Sequence, residues 1–292
     1  MISVVIPAFN EQGAIGETVA EVRTALTGVV HEIIVVDDGS ADKTAAEADA
    51  AGARTISHPH NLGYGASLKT GILAAHHDLV VITDADGTYP NAEIPRLVAE
   101  YGKGFNMVVG ARTGEHYRES VFKAPLRYLL KFLVEFTTGR DIPDVNSGLR
   151  VFSRREMVCY FDHLCNTFSF TTSATLAYMM TAKFVAYVPI PYHARTGRTK
   201  VRLFRDSLRT LQYIVQGVLY YNPLKIFILI CAGLLVSSLA CLVIAVQWQV
   251  FAAFYLGVGG LLMVIHVFCL GLLAELLRQI MPKKTPDPNL SA

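Results

Sequence analysis

The stretch Leu79-Val80-Val81-Ile82-Thr83-Asp84-Ala85-Asp86-Gly87 decides the fold. Four consecutive branched apolar residues read as a strand buried on both faces, since a strand with one wet face would alternate. The run then breaks into two carboxylates and a glycine. Working outward, short apolar runs recur at 2–7, 32–36, 53–57 and 107–110, separated by helical spacing at about 14–26, 42–51, 65–76 and 90–101. Ser40 reads as the N-cap of the second helix. Strands alternating with helices predict an α/β domain with a mostly parallel sheet. Ligands of such sheets bind beyond the carboxyl ends of the strands. Asp37, Asp38, Asp84, Asp86 and Arg112 all fall at those ends.

Two carboxylates two residues apart at a strand end can face one cavity. Their hard oxygens suit Mg²⁺ or Mn²⁺, which commonly also take phosphate oxygens. By itself Asp84-Ala85-Asp86 is more often an acidic turn than a metal site; its place after a buried strand makes it a candidate metal site. Pro7-Ala8-Phe9-Asn10-Glu11 and Asp37-Asp38-Gly39-Ser40 follow the first two strands. Their acidic groups can accept bonds from ribose hydroxyls or base N–H groups, or form turns. Neither a Walker-type phosphate loop nor a Gly-x-Gly-x-x-Gly fingerprint occurs, which argues against NAD.

The rest of the chain is different in kind. Of its 292 residues, 52% are hydrophobic and 17% charged, too apolar for a purely soluble domain. The excess follows Pro223. Between 226 and 274 no Asp, Glu, Lys or Arg occurs. That is too long for one membrane span of ~20 residues and suits two. Gln247-Trp248-Gln249 marks the break, giving expected spans of 226–246 and 250–274 within a hairpin of 223–278. Lys225 lies at one end and Arg278, Lys283 and Lys284 at the other. A hairpin puts both basic ends in the cytoplasm, with a short tail over 279–292. Gly257, Gly259 and Gly260 would let the two helices approach closely, and His266 reads as a packing residue. Residues 201–222 form an expected amphipathic interface helix, striped with Phe204, Leu208, Leu211, Val215 and Val218. The segment 120–138 is a second apolar helix with interspersed basic residues. The five cysteines show no Cys-x-x-Cys pairing and read as reduced. Net charge is +2, with no nucleic-acid signature. The N-terminus reads as a strand without a signal peptide, so the soluble domain, 1–200, is expected in the cytoplasm.

In this order, Pro7–Glu11, Val35-Val36-Asp37-Asp38-Gly39-Ser40, Asn61-Leu62-Gly63-Tyr64-Gly65 and Asp84–Gly87 resemble the family 2 glycosyltransferases. The run Asp144-Val145-Asn146-Ser147-Gly148-Leu149-Arg150-Val151-Phe152-Ser153 resembles the acceptor region of dolichol-phosphate mannose synthase and bacterial polyprenyl-phosphate glycosyltransferases. The resemblance covers about 1–220. It implies a GT-A fold, a Rossmann-like sheet, with Pro7, Phe9, Glu11 and Asp37 bordering the nucleotide and Asp38 contacting its base. It also implies Asp84 and Asp86 as holders of Mg²⁺ or Mn²⁺ and the diphosphate, Asp86 more directly. Arg112 and Arg150 would grip an acceptor phosphate, assisted by Ser147 or Ser153. Arg195 and Lys200, in a basic loop, would close over the phosphates. One departure stands out: mannose synthases often carry a metal-binding Gln where this chain has Thr88.

Together these features lead to an inverting hexosyltransferase that moves a sugar from UDP-hexose or GDP-mannose to a polyprenyl or dolichyl phosphate. A lipid phosphate is already nucleophilic, so no general base is needed; arginines position it by bidentate contact. Expected partners are the nucleotide-sugar, the lipid phosphate and the membrane, and a homo-oligomer is left open. The alternatives are a transferase acting on a hydroxyl acceptor, or a non-catalytic nucleotide-sugar-binding membrane scaffold. The processive-synthase motif Gln-x-x-Arg-Trp is missing; Trp248, the one tryptophan, sits in the hairpin turn.

Overall fold

A computed structural model of the chain describes residues 1–114, 132, 134–136, 138–193 and 203–280. Its contacts divide it into two units, one running through Ile214 and the other from Val215.

The first unit is built on one seven-stranded sheet in the order β3-β2-β1-β4-β6-β5-β7. The strands are β1 (Ile2–Ala8), β2 (His31–Asp37), β3 (Arg54–Ser57), β4 (Leu79–Ile82), β5 (Met107–Thr113), β6 (Arg150–Ser153) and β7 (Val185–Pro191). Every residue of β1 is buried, as a central parallel strand requires. All neighbouring pairs are parallel except those of β6, which runs antiparallel between β4 and β5. Its register sets Arg150 beside Ile82 and Ser153 beside Leu79.

Helices α1 (Ile15–Ala25), α2 (Thr44–Ala50), α3 (Tyr64–Ala74) and α4 (Ile94–Tyr101) connect the parallel strands. In α1 the buried residues Ile15, Thr18, Val19 and Val22 follow helical spacing and form its core face. α3 lies close against the sheet, because a Cβ at Gly71 would come within 2.3 Å of Val5 Cγ1. Short α5 (Arg154–Val158) and α6 (Phe170–Met180) follow β6. α6 is buried nearly throughout, including Thr171, Thr172 and Thr175. Ser40 does not cap α2: that helix starts at Thr44, and Asp42 instead accepts the Thr44 amide. Of the expected helix over 120–138, residues 132, 134–136 and 138 are helical, and the others lie outside the described residues.

α7 (Leu203–Tyr221) covers most of the expected amphipathic segment, with Ile214 and Val218 buried. In the second unit, α8 (Pro223–Trp248) and α9 (Phe251–Ile280) are both long and apolar enough to cross a membrane. The chain reverses at Gln249, in the left-handed region at φ 52°. Close packing of the pair falls on Gly257 and Gly260, which face Leu242 and Ser238, and on Gly271, which faces Phe227. Gly259 does not take part, since nothing lies within 4 Å of a Cβ there. His266 Nδ1 bonds to the Leu262 carbonyl one turn back, at 2.8 Å. All five cysteines are free.

Candidate active site

The carboxyl ends of β1, β2, β4, β5 and β7 point to one edge of the sheet. β6, running the other way, starts there. The loops at this edge are tied to one another by side chains. After β1, the Asn10 amide donates to Ser40 Oγ and Asn10 Oδ1 accepts from the Ala41 amide, both at 2.8 Å. The Glu11 amide donates to Thr44 Oγ1 at 2.8 Å. Ser40 therefore joins two loops. Pro7 is buried in β1, while Phe9 and Glu11 are half-buried just beyond it.

Asp37 and Asp38 are both buried. Asp37 Oδ1 accepts the Ser40 amide at 3.2 Å. Asp38 organises a further loop: Oδ1 accepts from the Leu62 amide at 2.9 Å and lies 2.8 Å from His58 Nδ1, and Oδ2 accepts from the Gly63 amide at 2.8 Å. Gly39 between Ser40 and Asp38 needs its φ of 74°, and a Cβ there would lie 2.8 Å from the His60 backbone. The Asp38 carboxylate thus holds the 58–63 loop at the edge of the site.

The Asp84–Gly87 turn rests on a hydrogen-bonded frame. Thr83 Oγ1 donates to Asn91 Oδ1 at 2.9 Å, Asn91 Nδ2 to Glu21 Oε2 at 2.9 Å, and Thr18 Oγ1 to the Ala85 carbonyl at 3.3 Å. Asp84 Oδ1 accepts from Tyr64 Oη at 2.8 Å. Burial, and next the negative charge of Asp84, push the Tyr64 phenol well above its ordinary pKa. It keeps its proton and serves as a donor. Asp86 Oδ1 accepts from the Thr88 amide at 3.1 Å and from Thr88 Oγ1 at 2.6 Å. Thr88 thus orients Asp86 with both its amide and its hydroxyl. Two hard carboxylates held at a strand end suit Mg²⁺ or Mn²⁺ that shares its shell with phosphate oxygens. Among the described residues no group of three or more His, Cys, Asp and Glu is placed to hold a metal.

The three residues expected from the acceptor motif are held in different ways. Arg150 is fully buried. Its Nε donates to the Ser147 carbonyl at 2.7 Å, one terminal nitrogen to Thr175 Oγ1 at 2.8 Å, and the other to the Val145 carbonyl at 2.8 Å. The guanidinium ties down the loop that precedes it. Burial lowers its pKa, yet a guanidinium stays charged. Ser147 is also fully buried, its hydroxyl donating to the Gly110 carbonyl at 2.5 Å. Ser153 lies at the opposite edge of the sheet, because β6 is antiparallel; it caps α5 through the Glu156 amide and donates to Asp78. Arg112 does belong to the site edge. Its Nε and a terminal nitrogen grip Asp144 at 2.7 and 2.9 Å, and its guanidinium lies over the Tyr192 ring at 5.3 Å. Arg195 and Lys200 lie outside the described residues.

Sequence reasoning passed over Tyr64, Tyr89, Gly148, Tyr192 and His193. Tyr89 Oη accepts the Gly148 amide at 2.7 Å, and the His193 amide donates to the Thr88 carbonyl at 3.0 Å. The signal for the tyrosines was their nearness to quoted motifs: Tyr64 in Asn61–Gly65, Tyr89 three residues after Asp86.

A model of the glycosyl transferase family 2 matches residues 3–161. The chain belongs to this family. An undecaprenyl-phosphate 4-deoxy-4-formamido-L-arabinose transferase of Salmonella paratyphi B is 29% identical over 257 residues, covering 84% of this chain and 76% of that one. The corresponding Klebsiella pneumoniae transferase is 29% identical over 234 residues, covering 77% and 69%. Among solved structures, glucosyl-3-phosphoglycerate synthase of Mycobacterium tuberculosis with Mn²⁺, UDP and phosphoglyceric acid superimposes with a TM-score of 0.59. It is 26% identical and covers 74% of this chain and 78% of that one. The same enzyme with Mg²⁺ and UDP gives a TM-score of 0.58 at 26% identity, covering 74% and 79%. The family 2 domain of this chain has the GT-A fold, and the protein is a glycosyltransferase.

Proposed function

We propose that this family 2 glycosyltransferase moves a hexose from a nucleoside-diphosphate sugar to a polyprenyl phosphate, inverting the anomeric carbon. The observation that carries the reading is the Asp84–Asp86 pair at the carboxyl edge of the sheet. It stands beside the 144–148 loop, in a chain that also carries two helices long enough to span a membrane. The Salmonella relative acts, by its name, on undecaprenyl phosphate. The M. tuberculosis neighbour binds Mn²⁺ or Mg²⁺ with UDP. These favour a UDP-sugar as donor, with GDP-mannose next.

Pro7, Phe9, Glu11, Asp37 and Asp38 line the nucleotide side, Asp38 by setting the 58–63 loop. Asp84 and Asp86 hold the divalent ion, which neutralises charge on the departing diphosphate when bound. Thr88 and Tyr64 fix the two carboxylates. The lipid phosphate attacks without a general base, so the site's task is to hold two anionic groups together. Arg195 and Lys200 supply that positive charge. Arg112 is engaged by Asp144 and joins them only by sharing its fork. Residues 1–200 form the catalytic domain and 201–222 an interface helix. The 223–278 hairpin spans the membrane, leaving both termini and the 279–292 tail in the cytoplasm.

The test incubates detergent-solubilised full-length protein with UDP-, GDP- or dTDP-sugars, Mn²⁺ and a polyprenyl phosphate, and looks for a lipid-phosphate-linked monosaccharide by mass. Formation from one donor class is the expected result. No such lipid from any donor, or sugar transfer only to hydroxyl acceptors, sinks the proposal.

A further inference from the structure

The carboxylate of Asp84 is wedged between two groups from distant parts of the chain. On one side the Tyr64 hydroxyl donates to Oδ1 at 2.8 Å. On the other stands Gly148. A Cβ built on Gly148 would lie 2.8 Å from Asp84 Oδ1, 2.9 Å from Oδ2 and 3.0 Å from Cγ, and these are its three nearest neighbours. Real Cβ contacts do not come that close, so any side chain at 148 must displace the Asp84 carboxylate. The atoms that would yield are the end of one side chain, not backbone.

Gly148 is itself clamped. Its amide donates to Tyr89 Oη, from the same turn that carries Asp84 and Asp86, at 2.7 Å. Tyr89 is buried and meets the Tyr192 ring edge-on at 5.4 Å. Tyr192 lies under Arg112, and Arg112 forks Asp144, four residues before Gly148. The circuit closes on itself: Asp144 to Gly148 along the chain, then Tyr89, Tyr192, Arg112 and back. Ser147 Oγ and the Leu149 carbonyl pin the same loop to Gly110.

We propose that Gly148 and Tyr89 are positioning residues: the 144–148 loop sets the direction of the Asp84 carboxylate by contact with a backbone that has no side chain. The inference rests on the metal reading above. It predicts that G148A folds but binds the ion poorly, because what moves is the carboxylate and not the core. Groups that orient a metal ligand alter affinity by about tenfold or more when changed.

Mn²⁺ binding to full-length protein in detergent, with UDP and no sugar, is followed by electron paramagnetic resonance, beside ligand-free melting curves. D84N, G148A and Y89F are compared with the wild type. The expected result is an unchanged ligand-free melting temperature for G148A, Mn²⁺ binding weakened about tenfold by G148A, and a smaller loss in Y89F. If D84N weakens binding while G148A and Y89F bind as the wild type does, the positioning inference is overturned and the metal assignment stands. If D84N leaves binding unchanged, the metal assignment fails, and the inference with it. Should G148A melt far below the wild type, Y89F decides, since it removes one oxygen and keeps the ring: wild-type Mn²⁺ affinity in Y89F overturns the inference.

Discussion

Replacing Arg150 by alanine separates two uses of that side chain. If the guanidinium grips an acceptor phosphate, R150A is a stable protein with weak acceptor binding. If it folds the 144–148 loop, R150A is an unstable one. The structure gives the magnitude. Three bonds, to the Ser147 and Val145 carbonyls and the Thr175 hydroxyl, are lost from a fully buried site. Hydrogen bonds from a charged group contribute about 1.5–3 kcal/mol each, so even the low end of the range puts the loss at ~5 kcal/mol before any cavity cost. That is a large share of the ~5–15 kcal/mol that holds a domain together. In a domain of this size each kcal/mol moves the melting temperature by ~2–4 °C, which predicts a fall of ~10–20 °C. The assay is thermal unfolding of the detergent-solubilised full-length protein without ligand, followed by far-UV circular dichroism. R150K, with one ammonium in place of a fork, should fall between. An R150A protein that melts within ~2 °C of the wild type and loses only acceptor affinity refutes the reasoning.

Three further outcomes follow from the same geometry. D144A removes the carboxylate that Arg112 forks, a group with 1% side-chain exposure beside one with 16%; it should cost ~3 kcal/mol and ~6–12 °C in the same melting assay. UDP with Mn²⁺ at ~100 times its dissociation constant should add ~2.7 kcal/mol of stability, and EDTA should erase the shift; a shift that survives EDTA argues against metal-assisted binding. Glu32 offers a pH test at the other edge of the sheet. Burial raises its pKa, but bonds from Ser3 Oγ and the His76 amide and ring outweigh that and leave it lowered. Its contribution is therefore complete above the ordinary value of 4.5 and is lost as pH falls through the lower folded value. E32Q should show a shallower loss of melting temperature on acidification below that point.

Much of this protein is determined locally. Branched apolar runs between helices specify β1 to β5, because such strands are stable only when covered on both faces. The Asp84–Asp86 turn follows from where β4 must end. The uncharged run after Pro223 specifies two long apolar helices, since length and composition alone limit what such a segment can do. The Asp144–Ser153 run is the opposite case. As sequence it offers two serines and an arginine for a phosphate. Only the tertiary structure turns it into an antiparallel strand between β4 and β5, and strand direction then carries Ser153 to the far edge. Arg150 is buried because Val145 and Ser147 fold back and Thr175 arrives from α6, 25 residues along. No local pattern encodes that meeting. The opening motif shows both sides: its two carboxylates are legible in the chain, while their directions are set by Tyr64, Thr88 and the bare backbone of Gly148. Thr88 is local, two residues from Asp86, whereas Tyr64 and Gly148 reach Asp84 by packing, which depends on the strands being in place.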